Sequence, residues 1–290
     1  MVLSAFTGTG LRQPSCDYTP EMGISGLPPE LIALVVDTLH DDRAALRACA
    51  LASSIFLPHC RAHLFERVEL RSFGDPYHGC HLPENVHTMR TCISSDPDNV
   101  LSYTRNLSML LGPMNEPQHL EGIYDYLMAF QNVRELQTRL FATHFVGRGP
   151  TLLSRYFSHF QPTLRRLHLK TCLKNPKDLI TFIAFFPLLE EVSIDATLPF
   201  PHPLPNNNPE FDPDLLSPLK GSLRLRRFQR ENGFMMELAK VRVQYHTLSI
   251  CGITVWTGIQ ELIIACAPTL RVLSIVHEYC ELFPLLIAGV

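Results

Sequence analysis

The residues of this chain that could do chemistry fall into three groups. The first is a run of histidines and cysteines: His59, Cys60 and His63, then His78, Cys80, His81 and His87. Imidazole and thiolate are natural zinc ligands, and two histidines four residues apart share one face of a helix. A structural zinc site needs a second matched pair to close its tetrahedron, and none follows at a suitable spacing. No metal ligand is assigned, and these side chains are expected to be solvated or packed in a core. The second group is Asp41-Asp42. Paired carboxylates suggest acid/base work, but here they precede an amphipathic segment, where one of them caps a helix. The third is a set of cations, Arg139, His168 and Lys170. On one face of neighbouring strands they would meet an acidic or phosphorylated peptide; the plainer reading of the same residues is a solvated strand face.

No nucleophile stands beside a base. The chain contains no G-x-S-x-G, H-E-x-x-H, G-x-x-x-x-G-K-[ST] or G-x-G-x-x-G, and Gly8-Thr9-Gly10 lacks the third glycine and a preceding strand. An enzyme is not expected, and no cofactor is implied. An enzyme or zinc-dependent module built on residues 59–87 is the weakest class considered. With 290 residues, 46% hydrophobic and 18% charged, the chain is long enough for one small module and one larger one. A net charge of −3 argues against nucleic-acid binding through bulk positive charge. Nine scattered cysteines without a C-x-x-C pair fit reduced thiols in the cytoplasm or nucleus better than a disulfide framework. The first twenty residues have no signal-peptide pattern, and no apolar run suggests a membrane span.

The elements that position these groups begin after a loose tail, residues 1–23. Pro28 and Pro29 suit the first turn of a helix, because an N–H there lacks an intrahelical partner anyway. Leu31, Leu34, Val35 and Leu39 follow at helical spacing. Asp41 or Asp42 caps a second helix that buries Leu46, Cys49, Ala50 and Ser53. Pro58 opens a third helix ending near Phe65, followed by the strand-like Arg67-Val68-Glu69-Leu70. Residues 24–70 thus read as a three-helix module, and 71–99 as a loop with a helix over Glu84–Ser95.

Residues 100–290 carry the strongest periodicity. Leu164-Arg-Arg-Leu167-His-Leu169-Lys-Thr-Cys172 fits L-x-x-L-x-L-x-x-N/C without a gap, the core of a leucine-rich repeat. Segments starting at Val133, Leu189 and Leu270 share the frame, and those at Leu107, Leu223 and Leu248 are weaker members. The central apolar positions Leu107, Leu136, Leu167, Val192, Leu223, Leu248 and Leu273 are 25 to 31 residues apart. Helical patterns lie between them: Gly122–Phe130, Leu152–Phe160, Pro176–Phe186, Phe234–Val243 and Thr257–Cys266. A short strand and a helix bury both apolar faces only by stacking on neighbours, which predicts a curved solenoid. Parallel strands would line its concave side and helices its convex side. Period-2 alternation places Glu135, Arg166 and Glu191 in one outward row and Arg139, Lys170 and Asp195 in another. A proline-rich insertion, 198–218, interrupts the array. The array ends a few residues into its next helical segment, so a further segment or a partner is expected to cap it.

Leu27-Pro28-x-Glu30-Leu31-Ile32, then Leu39, then Leu46 to Phe56, resembles the F-box motif. With the repeats behind it, the chain from about residue 24 onwards resembles the F-box/leucine-rich-repeat substrate receptors. The resemblance implies an α/β protein: a three-helix F-box-like module, then an irregular leucine-rich-repeat solenoid. It implies a non-catalytic substrate-recognition subunit of a cullin-RING (SCF-type) ubiquitin ligase, bound through an adaptor subunit and holding a protein target on its repeats. Carried over to this sequence, the adaptor contacts are Leu27, Pro28, Leu31, Ile32, Leu46, Leu51 and Phe56. Phe56 stands where the family often has Trp, and Ala52-Ser53-Ser54 replaces its usual valine, serine and arginine. Those departures define the alternative, a leucine-rich-repeat interaction scaffold with a degenerate F-box and no ligase role.

Overall fold

A computed structural model of the chain describes residues 27–71, 100–110, 127–141, 157–172, 176–196, 218–228, 233–252 and 258–276. The chain divides into two units, Met1–Glu66 and Arg67–Val290. Among the described residues, no helix is long and apolar enough to cross a membrane.

The first unit holds α1 (Pro29–Thr38), α2 (Arg43–Ala52) and α3 (Leu57–Leu64). Pro28 caps α1, its carbonyl accepting from the backbone N–H groups of Leu31 and Ile32. Of the two candidate caps for α2 the structure selects Asp42. Its Oδ1 accepts from the N–H of Ala44 at 3.0 Å and of Ala45 at 2.9 Å, two donors that the helix leaves without partners. Val36, Leu46 and Cys60 form a small core, surrounded by Leu39, Cys49, Ala50, Phe56 and Leu64. Two polar ties supplement it. His63 Nε2 lies 2.7 Å from Asp37 Oδ1, joining α3 to α1, and Arg43 donates to the carbonyl of Leu64 at 2.8 Å.

The second unit is built on one sheet of eight parallel strands whose spatial order is their sequence order. They are β1 (Arg67–Arg71), β2 (Asn106–Leu110), β3 (Glu135–Phe141), β4 (Arg166–Cys172), β5 (Glu191–Asp195), β6 (Leu219–Arg226), β7 (Val243–Cys251) and β8 (Val272–Val276). The sheet therefore begins at Arg67, inside the segment expected to close the helical module. Every strand pairs only with its sequence neighbours, so each added unit extends the sheet in one direction. Crossovers between parallel neighbours are right-handed in nearly all proteins, which keeps successive connections of this kind on one face. Three of them contain α4 (Pro176–Ala184), α5 (Phe234–Ala239) and α6 (Ile259–Cys266), with α4 packed on α5 and α5 on α6.

The pairing register is the one that the repeat frame predicts. Glu135 is beside Arg166 and Arg166 beside Glu191; Arg139 is beside Lys170 and Lys170 beside Asp195. Leu107, Leu136, Leu167, Val192, Leu223 and Leu248 form one buried row. Met109, Thr138, Leu169, Ile194, Leu225 and Ile250 form a second. Thr104, Val133, Leu164 and Leu189, which lead the frame, are also buried. A recurrent corner fixes the start of the strands. The carbonyl of Arg105 accepts from the N–H groups of Arg134 and Glu135, that of Arg134 from Arg165 and Arg166, and that of Arg165 from Glu190 and Glu191.

Aromatic rings close the layer behind these rows. Phe130, Phe160 and Phe186 recur six or seven residues ahead of Leu136, Leu167 and Val192, all buried. Phe157 meets Phe182 edge-on at 5.6 Å, and Phe182 meets Phe186 at 5.3 Å, linking neighbouring repeats. One irregularity breaks the register, between Gly221 and Ser222. Gly221 has φ +94°, and a Cβ there would sit 2.2 Å from the carbonyl oxygen of Glu190. Only glycine lets the strand pass so close, and the same oxygen accepts from the N–H of Ser222 at 2.8 Å.

Several expected helices change length: Pro176–Phe186 is helical over Pro176–Ala184, Thr257–Cys266 over Ile259–Cys266, and residues 122–126 of the expected Gly122–Phe130 lie outside the described part. The expected Phe234–Val243 is helical only over Phe234–Ala239, because Val243 opens β7. The expected Leu152–Phe160 is seen at its end as a 3-10 turn, Ser158–Phe160, with residues 152–156 outside the described part. The tail 1–23, the helix expected over Glu84–Ser95 and all of the proline-rich insertion except Pro218 also lie outside the described residues.

Candidate functional site

Two surfaces stand out, one in each unit, and their chemistry is opposite. In the first unit, α1 is apolar on two sides. Ile32 and Val36, one turn apart, are 1% and 0% exposed. Leu31, Leu34 and Val35, also at helical spacing, point away from that core and are 47%, 60% and 49% exposed; Leu27 ahead of the helix is exposed too. A helix that is apolar all round normally has both sides covered. Here one stripe is bare, and such contiguous patches mark sites of association. On α2, Leu51 is 89% exposed.

The seven positions taken as adaptor contacts separate accordingly. Leu27, Pro28, Leu31 and Leu51 are on the surface. Ile32 and Leu46 are inside, and Phe56 is half-buried against the core of Val36, Leu46 and Cys60. Leu34 and Val35 join the exposed set, although the carried-over motif did not include them. Their helical spacing was visible, but spacing alone does not say which stripe faces the core.

In the second unit, the polar face of the sheet carries a charge pattern that changes along its length. At β3 and β4, Glu135 sits between Arg166 and His168, 3.2 Å from Arg166 Nη1 and 3.4 Å from His168 Nε2. Glu135 there forms an ion pair with Arg166, and His168 is engaged by the same carboxylate. The next row runs Arg139, Lys170, Asp195, Arg226, Cys251, Val276 across β3 to β8. Register brings Arg139 and Lys170 side by side; the side chain of Arg139 lies outside the described residues.

Beyond Asp195 the face becomes cationic. Arg227, just after β6, has φ +57°, the left-handed region that a side chain other than glycine or asparagine rarely takes. That backbone turn sends its guanidinium back over the end of β5. Arg227 Nε donates to Asp195 Oδ1 at 3.0 Å and Nη2 donates to Oδ2, a two-pronged pair on a carboxylate whose side chain is 11% exposed. The N–H of Arg227 donates to the carbonyl of Cys251, and the carbonyl of Arg226 accepts from Ala196, which holds the strained turn in place. Arg224 and Arg226 are exposed on the same strand. With Arg227, Ser249, Cys251 and Val276 they line a hollow of about 400 Å³. This cluster was missed in the sequence, although Leu223-Arg224-Leu225-Arg226-Arg227 alternates apolar and basic residues in plain view.

Among the described residues, no three His, Cys, Asp or Glu side chains gather as metal ligands would. Cys60 is buried, and His63 is turned towards Asp37. His78, Cys80, His81 and His87 lie outside the described residues. Burial, with a smaller contribution from Cys49, pushes the Cys60 thiol above its ordinary range, and burial does the same to Cys266. Both shifts oppose the thiolate that nucleophilic catalysis needs. Comparisons with protein-family models, with curated proteins and with solved structures found no match.

Proposed function

We propose that this chain is a non-catalytic substrate-recognition subunit of a cullin-RING ubiquitin ligase. In this reading α1 to α3 act as an F-box, docking on the adaptor and through it on a cullin. The strand array acts as an irregular leucine-rich-repeat solenoid whose polar strand face is concave and holds a target protein. The chain contributes position: a target held near the ligase is modified because its effective concentration is high. The protein would work in the cytoplasm or nucleus, where ubiquitin ligases of this type operate.

The observation that carries the proposal is the second apolar stripe of α1, bare along Leu27, Leu31, Leu34 and Val35. It supplies a hydrophobic docking face on a small helical unit that precedes a one-directional repeat array. A pull-down of the intact chain with recombinant adaptor tests it. Binding is expected for the wild type and is expected to be lost in Leu27→Ala/Pro28→Ala and in Leu31→Glu, with the helical content unchanged. A second reading, a repeat scaffold with a degenerate F-box and no ligase role, draws on the inward placement of Ile32 and Leu46. An intact, folded chain that fails to bind the adaptor would select it.

A further inference from the structure

We propose that the hollow between Arg224, Arg226 and Arg227 recognises a phosphate monoester on a segment of a protein partner. The inference rests on the reading of the polar strand face as the target surface, and it names the chemistry that this surface selects. Three features carry it.

The first is the arrangement of cations. Arg224 and Arg226 are two residues apart on one strand, so their side chains leave the sheet on the same face roughly 6.6 Å apart. That separation lets two guanidinium forks straddle a single tetrahedral anion, and arginine suits this task because its donors are planar and bidentate. No ion pair joins either of them to another described residue, whereas Arg227 is committed to Asp195 and Arg166 to Glu135. The two open cations match a phosphate monoester, which carries a charge of about −1.5 to −2 near neutral pH.

The second is the relief of the site. Register sets Ser249 beside Arg224 and Cys251 beside Arg226, with Ser274 and Val276 on the next strand. Small side chains there leave a space of about 400 Å³ in front of the arginines, and the Ser249 hydroxyl is a further donor at its floor. Val276 is the main apolar side chain in the lining. Pockets that engulf small molecules are mostly apolar and enclose the ligand. An open hollow edged by two exposed arginines instead reads one group presented by a larger body.

The third is the strained corner. Arg227 holds a left-handed backbone conformation at a cost of about 1–3 kcal/mol. Its two-pronged bond to Asp195 offsets that strain. The same bond ties up Asp195, the carboxylate that register sets beside Arg226, which would otherwise repel an incoming anion. Lys170, next to Asp195 in register on the far side, extends the positive potential along the row towards Arg139.

The test uses the full chain and a degenerate peptide library with a central phosphoserine, beside matched libraries carrying serine or glutamate there. Retention on the phosphoserine library is expected to exceed that on the serine library by about tenfold or more, the scale of one or two charge-assisted contacts. The glutamate library should fall between them, and millimolar inorganic phosphate should compete. Arg224→Gln/Arg226→Gln is expected to remove the preference. Ser249→Asp should do the same, by placing a carboxylate in the hollow while sparing both arginines. Circular dichroism of both variants should match the wild type. Equal retention on the phosphoserine and serine libraries would overturn the proposal, as would an undiminished preference in the folded variants. Failure here with adaptor binding intact removes only the phosphate site. Loss of adaptor binding with phosphate capture intact removes only the ligase role.

Discussion

The three-helix unit and the strand array place their spare chemistry in opposite ways. The helices close a core of three fully buried side chains and leave apolar side chains outside, along Leu31, Leu34 and Val35. The array buries two long apolar rows and leaves charge outside, ending in an arginine cluster. The first surface gains by losing water, favours another apolar surface and is insensitive to salt. The second works through charge, selects an anion and weakens as salt rises. A chain built to bring two different partners together would be divided in this manner.

Neighbouring residues on α1 give the sharpest way to break the comparison, with the largest expected effect. Ile32 is 1% exposed and Leu31 is 47% exposed. Ile32→Ala should destabilise the helical unit by about 2–5 kcal/mol, while Leu31→Ala should stay within about 0.5 kcal/mol. Amide hydrogen exchange over residues 29–64 reads both. Equal losses would mean that Leu31 is also covered, and the bare stripe would disappear from the argument. In the array, Gly221→Ala should cost about 1–3 kcal/mol from the backbone conformation alone, with more from the approach to Glu190. Thermal unfolding should show it, and an unchanged melting temperature would contradict the register shift at that glycine.

Asp195→Asn probes the corner between the two kinds of polar face. The Asp195 side chain is largely buried and holds Arg227 in its left-handed conformation. Loss of the charge should cost about 1–3 kcal/mol, discounted from a fully buried pair because Arg227 is half-exposed. The variant should also strengthen anion capture, since the negative charge beside Arg226 is gone. A stability loss without stronger capture would separate the corner's structural role from the hollow.

How much of this was readable from residues alone differs between the two surfaces. The strand register was, because L-x-x-L-x-L ties side-chain alternation to burial, and a slip by one residue would expose every leucine of β4. That logic put Arg139, Lys170 and Asp195 in one row before any coordinates. The Arg224–Arg227 cluster escaped because two backbone events shape it, the register shift at Gly221 and the left-handed turn at Arg227. Neither has a sequence signature in this stretch; arginine is an unusual choice for a positive φ. On α1 the difficulty was different. Helical spacing singles out Leu31, Leu34, Val35 and Leu39 as the apolar stripe, whereas the structure buries Ile32 and Val36, on another face of the same helix. The aromatic line Phe130, Phe160 and Phe186 went unnoticed because its spacing to the strand varies by one residue.

A small stability effect is also expected of Glu135→Gln, which asks the most specific question about the sheet's polar face. Glu135 pairs with Arg166 and lies against His168 across β3 and β4, and all three side chains are partly exposed. Surface pairs of this kind contribute about 0–1 kcal/mol, so the fold should barely respond. The charge at that end of the face changes by one unit, leaving Arg166 with Glu191 as its acidic neighbour in register. If charge alone drew the phosphorylated segment, capture should now rise at β3–β4 and persist when Arg224 and Arg226 are replaced. If shape is also required, Glu135→Gln should leave capture unchanged and still dependent on Arg224 and Arg226, which line the hollow. The second outcome is the expected one. A paired arginine fork over an open floor recognises a phosphate, whereas isolated cations on a flat strand face exchange one solvated ion for another.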